Sequence, residues 1–384
     1  MKKLSKFFTF LILIAVSFTF TIKNINAKAD NLIDVSSKSA YLMDYNSGTV
    51  IFAQNENERR PIASMTKIML LLLAYENVNN GNLSLDEEVI VSENASGMGG
   101  SQVFLENGGK YKVSDLLKSI TVASANDASV CIAERLYGSE KSCVEKMNSK
   151  ASELGLKNTL FANCTGLPKP MQYSSAKDIA IIFSNLIKHK EYFNYSTIWM
   201  DKIDHIKNST EITNTNKLVK FYEGCDGGKT GFTNEAGFCL TATAKRGNMR
   251  LIGSVINAQT SKERFSDVST MFNYGFANYC NKCVVDDQIP LDTKIKISNS
   301  KQKDVDIIAK KDFYVFSKRN EKVDVTFEVN TLSAKAPLNK GDVVGEITVY
   351  KNGVEIGKVD IITMQKVDEM SYFDYVKEIA GNWA

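Results

Sequence analysis

Histidine and proline are scarce in this 384-residue chain, which contains two histidines, His189 and His205, and five prolines. Two histidines leave little room for a zinc site built on several of them, so no metal or other cofactor is predicted. Excess charge is also missing, because 47 basic and 44 acidic residues leave a net charge of +3. A near-neutral chain lacks the basic surface that is typical of nucleic-acid-binding proteins, so no nucleic-acid partner is predicted. The ordinary hydrophobic content of 43% indicates a globular protein, and the length favours two domains.

Long hydrophobic runs are missing except at the N-terminus. There, three lysines precede the apolar segment 7–22, and Ala27-Lys28-Ala29 has the small residues of a cleavage site. Because this segment is shorter than the roughly 20 residues of a membrane span, residues 1–29 are predicted to be a signal peptide. Cleavage is expected after Ala29 or, almost equally, after Ala27, and an uncleaved anchor is the alternative. Either reading predicts an exported protein.

Cysteine is present in an odd number, which excludes complete pairing within one chain. Seven cysteines follow the N-terminal segment, and at least one would stay free or pair with another chain. Cys280 and Cys283 have CxxC spacing, but no second pair or nearby histidine completes a zinc site. The other five are interpreted as small buried hydrophobic residues.

The order of predicted elements indicates an α+β domain followed by an all-β domain. Turn residues Asn46-Ser47-Gly48 predict a hairpin over 39–53, and an almost wholly apolar stretch predicts a buried helix over 64–75. The further predictions are a mostly helical segment 111–165, strands at 237–244 and 250–256, and a helix at 262–279. After residue 283 only short β-like runs occur, including a hairpin at Asn352-Gly353. The final segment, 363–384, has apolar residues every three or four positions and predicts an amphipathic helix.

Three short motifs carry chemistry, and the first is Ser64-Met65-Thr66-Lys67. Serine and lysine three positions apart on a helix share one face, so the amine can reach the hydroxyl. A buried lysine with a lowered pKa can activate a serine without any histidine. An N-cap serine followed by a surface lysine is the alternative, but Lys67 lies inside a strongly apolar helix and would need a polar partner.

The other two motifs are Ser124-Ala125-Asn126 and Lys229-Thr230-Gly231. A loop hydroxyl can relay a proton, and an amide can hold both a lysine and a substrate amide. Lysine and threonine on an edge strand can bind a carboxylate, and Gly231 allows a ligand to approach the backbone. A phosphate-binding loop ending at Thr230 is excluded, because its required first glycine would fall on Glu223.

Taken together, the order and spacing of these motifs in an exported chain resemble the low-molecular-mass penicillin-binding proteins, the serine D-alanyl-D-alanine carboxypeptidases. The resemblance covers roughly residues 35–283 and includes the wider strings 60–67, 126–128 and 226–233. It implies a β-lactamase/transpeptidase-like domain, an antiparallel sheet flanked by helices, at residues 30–283. A small β-rich domain at 284–362 and the amphipathic helix 363–384 would follow it.

The resemblance implies that the chain removes the terminal D-alanine from peptidoglycan stem peptides ending in D-Ala-D-Ala, outside the cytoplasm at the membrane and cell wall. Ser64 would attack the carbonyl between the two alanines, with a neutral Lys67 as its base. Ser124 would help pass the proton to the leaving D-alanine, and Asn126 would orient Lys67 and the peptide. Water would then release the acyl-enzyme. β-Lactams would acylate the same serine and leave it slowly.

Substrate binding is implied for the third motif. Backbone N–H groups of Ser64 and Phe232 would form an oxyanion hole, while Lys229 and Thr230 would hold the terminal carboxylate, with Lys229 also joining the proton relay. Arg264 matches a family arginine and would help to hold the carboxylate, although a solvent-exposed helix position describes it equally well.

Several other functions share parts of this pattern. A class A-like β-lactamase needs a glutamate for deacylation, and the nearest string, around Glu153, ends in lysine rather than asparagine. A D,D-endopeptidase, a transpeptidase, and a non-enzymatic penicillin- or wall-binding protein remain alternatives. A Ser-His-Asp triad is disfavoured, because both histidines lie in polar stretches typical of the surface.

The C-terminal helix is predicted to associate with a membrane surface, with packing on the β domain as the alternative. Its aromatic residues suit an interface, but residues 366–384 contain two lysines and four acidic residues. Interfacial helices usually carry lysine and arginine on the polar face, so this charge departs from the expected pattern.

Overall fold

The computed structural model describes residues 33–302 and 304–381, so the predicted signal peptide, residues 1–29, lies outside the described residues. The helices are α1 Lys67–Asn79, α2 Glu93–Ser96, α3 Val113–Val122, α4 Asn126–Tyr137, α5 Glu140–Glu153, α6 Ala176–Leu186, α7 Phe193–Ser196, α8 Leu218–Phe221, α9 Ser261–Asn278 and α10 Tyr372–Gly381, with 3₁₀ turns at Ala63–Thr66 and Lys190–Tyr192. The strands are β1 Ser39–Asp44, β2 Val50–Gln54, β3 Glu88–Ile90, β4 Lys110–Lys112, β5 Met200–Asp204, β6 Ser209–Thr213, β7 Cys225–Thr233, β8 Gly237–Arg246, β9 Met249–Ala258, β10 Tyr279–Val285, β11 Pro290–Ile295, β12 Val305–Ala309, β13 Phe313–Lys318, β14 Val325–Thr331, β15 Val343–Lys351 and β16 Val354–Thr363.

Five antiparallel strands form the central sheet, in the order β2-β1-β9-β8-β7. Side chains alternate across it. Tyr41 and Ile252 join the hydrophobic core that contains α1 and α6. On the other face, a side chain at Gly253 would contact residues of α9, including Phe272. Helices therefore cover both faces, which confirms the predicted antiparallel sheet flanked by helices, and β7 lies at an edge of this described sheet.

Helix α1 lies in the middle of this core. All of its residues from Lys67 to Tyr75 are buried, as its apolar composition predicts. The turn before it differs from the predicted single helix over 64–75, because residues 63–66 form a 3₁₀ turn in which Ala63 has a φ of +47°. Because α1 is enclosed on all sides, it carries the amine of Lys67 into the protein interior.

The segment 111–165 is less helical than predicted. Helices α3, α4 and α5 occupy its first part, but α5 ends at Glu153 and Gly155 adopts a φ of +69°. A glycine with positive φ terminates a helix, and the chain then runs as a loop past Leu160 to Ser175. Helix α6 and the β5–β6 hairpin follow, and neither was predicted.

The C-terminal part has a second sheet, ordered β11-β12-β16-β15-β14, and the separate pair β10–β13. Its own core is built from valine and isoleucine side chains. The predicted hairpin at Asn352-Gly353 joins β15 to β16, with positive φ at both residues as a type I′ turn requires. The domain limits 30–283 and 284–362 stay predictions, although the separate C-terminal core is compatible with them.

The predicted helix 363–384 begins later than expected. Val367 and Glu369 form β-bridges with Leu338 and Ser300, and α10 starts only at Tyr372. Its aromatic and aliphatic side chains are exposed: Tyr372, Phe373, Tyr375, Val376 and Ile379. Among the residues that the structure describes, no helix has the length and hydrophobicity needed to cross a bilayer.

Candidate active site

The turn before α1 brings Ser64 and Lys67 together. Lys67 Nζ donates a hydrogen bond to Ser64 Oγ at 3.0 Å, so the pairing predicted from the motif is formed. Two glycines let other segments approach this turn. A Cβ at Gly166 would lie 2.0 Å from the Ala63 carbonyl oxygen, and one at Gly231 would lie 3.2 Å from the Ser64 nitrogen. Any larger residue would push these segments away from the serine.

The amine of Lys67 is completely buried. Burial disfavours the ammonium form and lowers the pKa of Lys67 to about 7, while the nearby Cys164 and Asp127 oppose that shift. The nitrogen also donates to the carbonyl oxygen of Thr165 at 2.5 Å. At neutral pH a large fraction of this amine is therefore uncharged and able to accept the Ser64 proton.

Thr165 is a contact that the sequence analysis missed, because its backbone carbonyl and not its side chain makes the bond. The loop is folded by Asn163, whose Oδ1 accepts from the N–H groups of Thr165 at 3.2 Å and Gly166 at 2.7 Å. An asparagine that bonds backbone N–H groups two and three residues later is typical of a turn. Asn163 followed by Gly166 therefore predicts a turn from the sequence, but this turn signal does not show that the Thr165 carbonyl bonds to Lys67.

Ser124 lies in the short connection between α3 and α4, with a φ of +64°. Such a conformation costs a serine free energy and persists only where surrounding contacts enforce it. The Ser124 hydroxyl is buried and has no hydrogen-bond partner among the described residues. It is therefore free to bond with an incoming group.

Asn126 departs from its expected contact. It was expected to orient Lys67, but its Nδ2 donates to the Gly99 carbonyl at 2.7 Å, and its Oδ1 has no partner within the described part of the chain. The Thr165 carbonyl accepts from the Lys67 amine instead. The unpaired Oδ1 leaves Asn126 able to accept a hydrogen bond from a substrate amide.

Lys229 and Thr230 are both buried in β7. Lys229 Nζ donates to the Thr230 carbonyl at 3.2 Å. Burial, followed by the neighbouring charges of Lys67 and Arg264, lowers the pKa of Lys229 well below its ordinary value. Phe232, two residues after Thr230, is 51% exposed and packs on Phe238 at 4.3 Å between ring centroids. The strand thus passes from the buried lysine out to the surface.

Arg264 is buried, so the alternative of a solvent-exposed helix position is wrong. Its guanidinium donates to the carbonyl oxygens of Gly231 at 3.1 Å and Cys239 at 3.4 Å, and its ring partners include Phe238. Burial lowers the pKa of Arg264 to about 10. Its buried Nε has no hydrogen-bond partner among the described residues, so Arg264 supports β7 and retains a free donor.

The residues that a Ser-His-Asp triad or a β-lactamase would need make their contacts away from Ser64. His189 hydrogen-bonds Asn79 at 2.7 Å, and His205 bonds Tyr111 at 2.8 Å, so neither ring serves Ser64. Both are half-buried rather than at the surface as predicted. Glu153 ends α5 and pairs with Lys150, away from the motifs.

The five cysteines predicted to be buried are buried, and all seven are unpaired in the structure. Asp286, Asp287 and Asp312 have oxygens within 4.8 Å of one another, but they lie in the C-terminal part and not beside Ser64. The chemistry that the site itself offers is a nucleophilic hydroxyl, an uncharged amine beside it, and buried cationic groups that attract a carboxylate.

Comparison with known proteins gives two family matches. Residues 24–260 match the family model described as D-alanyl-D-alanine carboxypeptidase, and residues 281–369 match that of the penicillin-binding protein 5 C-terminal domain. The D-alanyl-D-alanine carboxypeptidase DacF of Bacillus subtilis is 38% identical over 353 residues, covering 90% of both chains. DacA of Escherichia coli is 30% identical over 374 residues, covering 94% of this chain and 92% of that one.

A solved structure shows the same fold. Penicillin binding protein 5 from Haemophilus influenzae superimposes with a TM-score of 0.68 at 30% identity, covering 88% of this chain and 98% of that structure. The similarity therefore extends over both the α+β part and the β-rich part.

Proposed function

Because the chain belongs to the D-alanyl-D-alanine carboxypeptidase family of penicillin-binding serine hydrolases that act on the cell wall, we propose that Ser64 is the nucleophile that carries out this activity. One observation carries the assignment. The Lys67 amine lies 3.0 Å from Ser64 Oγ in a fully buried environment that lowers its pKa to about 7. A serine beside an uncharged amine is an activated nucleophile.

In the first step, Ser64 Oγ attacks the carbonyl carbon of the penultimate D-alanine, and its proton moves to Lys67. The Thr165 carbonyl holds Lys67 Nζ in place during this transfer. The developing oxyanion would accept hydrogen bonds from the N–H groups of Ser64 and Phe232. Each such donor lowers the barrier by about 3–4 kcal/mol. The close approach that Gly231 permits supports this arrangement.

In the second step, the peptide bond breaks and the proton reaches the leaving D-alanine through Ser124 and Lys229. The unpaired hydroxyl of Ser124 supports its part in this relay. Lys229 and Thr230 bind the terminal carboxylate, while Arg264 acts from beneath β7 through its bond to the Gly231 carbonyl. Its unpaired Nε remains available to the carboxylate. Water then hydrolyses the ester on Ser64.

Release of free D-alanine from a peptide ending in D-Ala-D-Ala tests these roles. Ser64→Ala should abolish release, and Ser124→Ala should slow it by about 100-fold, since proton transfer by a positioned group contributes roughly 10²–10⁴. Ser92→Ala is the matched control, because Ser92-Glu93-Asn94 has the same motif spacing but Ser92 caps α2. Equal rates for Ser124→Ala and Ser92→Ala would refute the relay.

The chain's location follows from segments outside the catalytic core. We propose export by residues 1–29 with cleavage after Ala29, and action on stem peptides at the extracytoplasmic face of the membrane. The exposed apolar side chains of α10, Phe373 and Ile379 among them, support peripheral attachment to a lipid surface. β-Lactams, which acylate this family generally, would react at Ser64.

A further inference from the structure

The segment Asn214–Asn216 hydrogen-bonds to Val122 and Gly227, each of which lies two residues before a motif. It follows β6 and contains no residue of any motif. Asn214 and Asn216 are both buried. The Asn216 N–H donates to Asn214 Oδ1 at 2.9 Å, and Asn214 Nδ2 donates to the carbonyls of Ser196 at 3.1 Å and Ile198 at 2.8 Å. These bonds fix the backbone of the segment.

On one side, the segment reaches the loop of Ser124. The N–H of Thr215 donates to the carbonyl oxygen of Val122 at 3.1 Å. Val122 is the last residue of α3, two positions before Ser124. The last carbonyls of a helix have no partner within that helix, so this bond anchors the helix end from which the strained Ser124 conformation begins.

On the other side, the segment reaches the strand of Lys229. Asn216 Nδ2 donates to the Gly227 carbonyl at 3.3 Å. A Cβ at Gly228 would lie 2.7 Å from the same nitrogen, so the amide packs directly on the β7 backbone. Because β7 is an edge strand, its outward carbonyls need partners from side chains. Asn216 supplies one of them two residues before Lys229.

We propose that Asn216 is a positioning residue that holds Lys229 at the correct distance from Ser124 for proton transfer to the leaving group. This inference rests on the proposed roles of Ser124 and Lys229. The two groups lie on different elements, a helix-connecting loop and an edge strand, and segment 214–216 hydrogen-bonds to the end of α3 just before the loop and to β7 itself. A misplacement of about 1 Å in such a relay can cost about 100-fold in rate.

The test is the rate at which a fluorescent penicillin labels Ser64 in the full-length chain, together with the fraction labelled at the plateau. Asn216→Ala should slow labelling by about 10- to 100-fold, while the plateau reports how much protein remains folded. Asn281→Ala is the matched control, because it also removes a buried asparagine, one whose Nδ2 donates to Asp44 at 2.9 Å. It should label at the wild-type rate.

Asn216→Asp separates positioning of β7 from a local structural role. Asn216 Oδ1 also accepts from the Leu218 N–H at 3.1 Å, at the start of α8. Aspartate keeps this acceptor and loses the donor to the Gly227 carbonyl, so it should label at least as slowly as Asn216→Ala. Wild-type labelling by Asn216→Asp would show that only the bond to Leu218 matters, and wild-type labelling by Asn216→Ala would overturn the proposal directly.

If the Asn216 variants do not fold, Tyr192→Phe tests the positioning of β7 instead. The Tyr192 hydroxyl accepts from the Gly228 N–H at 3.1 Å, on the same stretch of β7. The hydroxyl also donates to the Gly228 carbonyl at 3.4 Å. Loss of these two bonds should slow labelling by about fivefold, and an unchanged rate would overturn the proposal that side-chain contacts to this stretch of β7 position Lys229. If wild-type Ser64 is never labelled, the proposed function fails as well, whereas loss of the differences among variants removes this inference alone.

Discussion

Lys67, Lys229 and Arg264 place three basic side chains in one buried region. Each donates only to uncharged oxygens within the described part of the chain. Burial lowers the pKa of each, and for Lys229 the charges of the other two add to this effect. Such a cluster is costly until an anion arrives. The same arrangement suits both proposed roles, a base for Ser64 and an attraction for the terminal carboxylate.

The rate of Ser64 acylation should depend on pH through Lys67. Because the pKa of Lys67 is lowered to about 7, the uncharged base is present above about pH 7 and is lost as the pH falls below it. Penicillin labelling should therefore fall about tenfold per pH unit on the acid side. The labelling rate is measured at each pH by quenching samples of the full-length chain at fixed times.

Histidine titration is the control for that profile. Burial lowers the pKa of His189, which bonds Asn79 and not the site. His189→Gln should leave the fall of the labelling rate below about pH 7 unchanged. A labelling rate that falls already below about pH 10, the ordinary pKa of lysine, would show that the base does not have the lowered pKa of the buried Lys67.

For single residues, the sequence predicted which side chains meet at the site better than it predicted their contacts with the backbone. Ser64, Lys67 and Lys229 were identified because their chemistry follows from residue type and spacing. The Thr165 carbonyl was not, since any residue offers a carbonyl and only the folded loop places it 2.5 Å from Lys67 Nζ. The burial of Arg264 was left open for a similar reason, because it depends on how α9 packs against the sheet.

At the scale of elements, three segments of the site approach one another closely because two of them have a glycine at the contact. The 3₁₀ turn at Ala63–Thr66 is contacted by the loop at Gly166 and by β7 at Gly231. The hairpin at Asn352-Gly353 and the helix at 262–279, observed as α9, were predictable from the local sequence. Residues 154–165 belong to the segment that was predicted to be mostly helical, because a glycine in the sequence does not by itself show that it adopts the positive φ with which Gly155 ends α5.

Gly166→Ala tests this meeting of elements. A Cβ there would lie 2.0 Å from the Ala63 carbonyl oxygen, and the φ of +85° is itself unfavourable for alanine. The turn that carries Ser64 must then move, so penicillin labelling should slow by about 100-fold, and the thermal midpoint should fall.

Gly155→Ala is the matched control for backbone strain alone. Its φ is +69°, but a Cβ would meet no atom within 4 Å. It should cost about 1 kcal/mol of stability and leave the labelling rate unchanged. Equal effects of the two substitutions would mean that close packing at Gly166 does not position Ser64.

At the scale of the whole molecule, two cores are joined near β10. Asn281 of β10 donates to Asp44 of β1, and Arg319 donates to the Phe276 carbonyl at the end of α9. The C-terminal part thereby contacts the catalytic part through hydrogen bonds on several elements. It contributes no residue to the three motifs.

Removal of residues 372–384 tests membrane attachment, and it takes from the β-rich part the partly exposed ion pair between Asp374 and Lys301 at 3.2 Å. The cut spares Val367 and Glu369, which pair with Leu338 and Ser300. Binding to phosphatidylcholine vesicles should be lost, while D-alanine release from a soluble peptide should stay unchanged. Added anionic lipid should not strengthen binding of the full chain, because residues 366–384 contain more acidic than basic residues. Equal sedimentation of both chains with vesicles would contradict the attachment.

The most direct test of the central claim is to locate the penicillin adduct by peptide mass spectrometry. We expect one acyl group on Ser64, absent in Ser64→Ala, slow to form in Lys67→Ala, and slow to leave in the wild type. Rapid loss of the acyl group would instead describe a β-lactamase. An adduct on any other residue, or none on folded protein, would contradict the assignment of Ser64 and Lys67 as nucleophile and base.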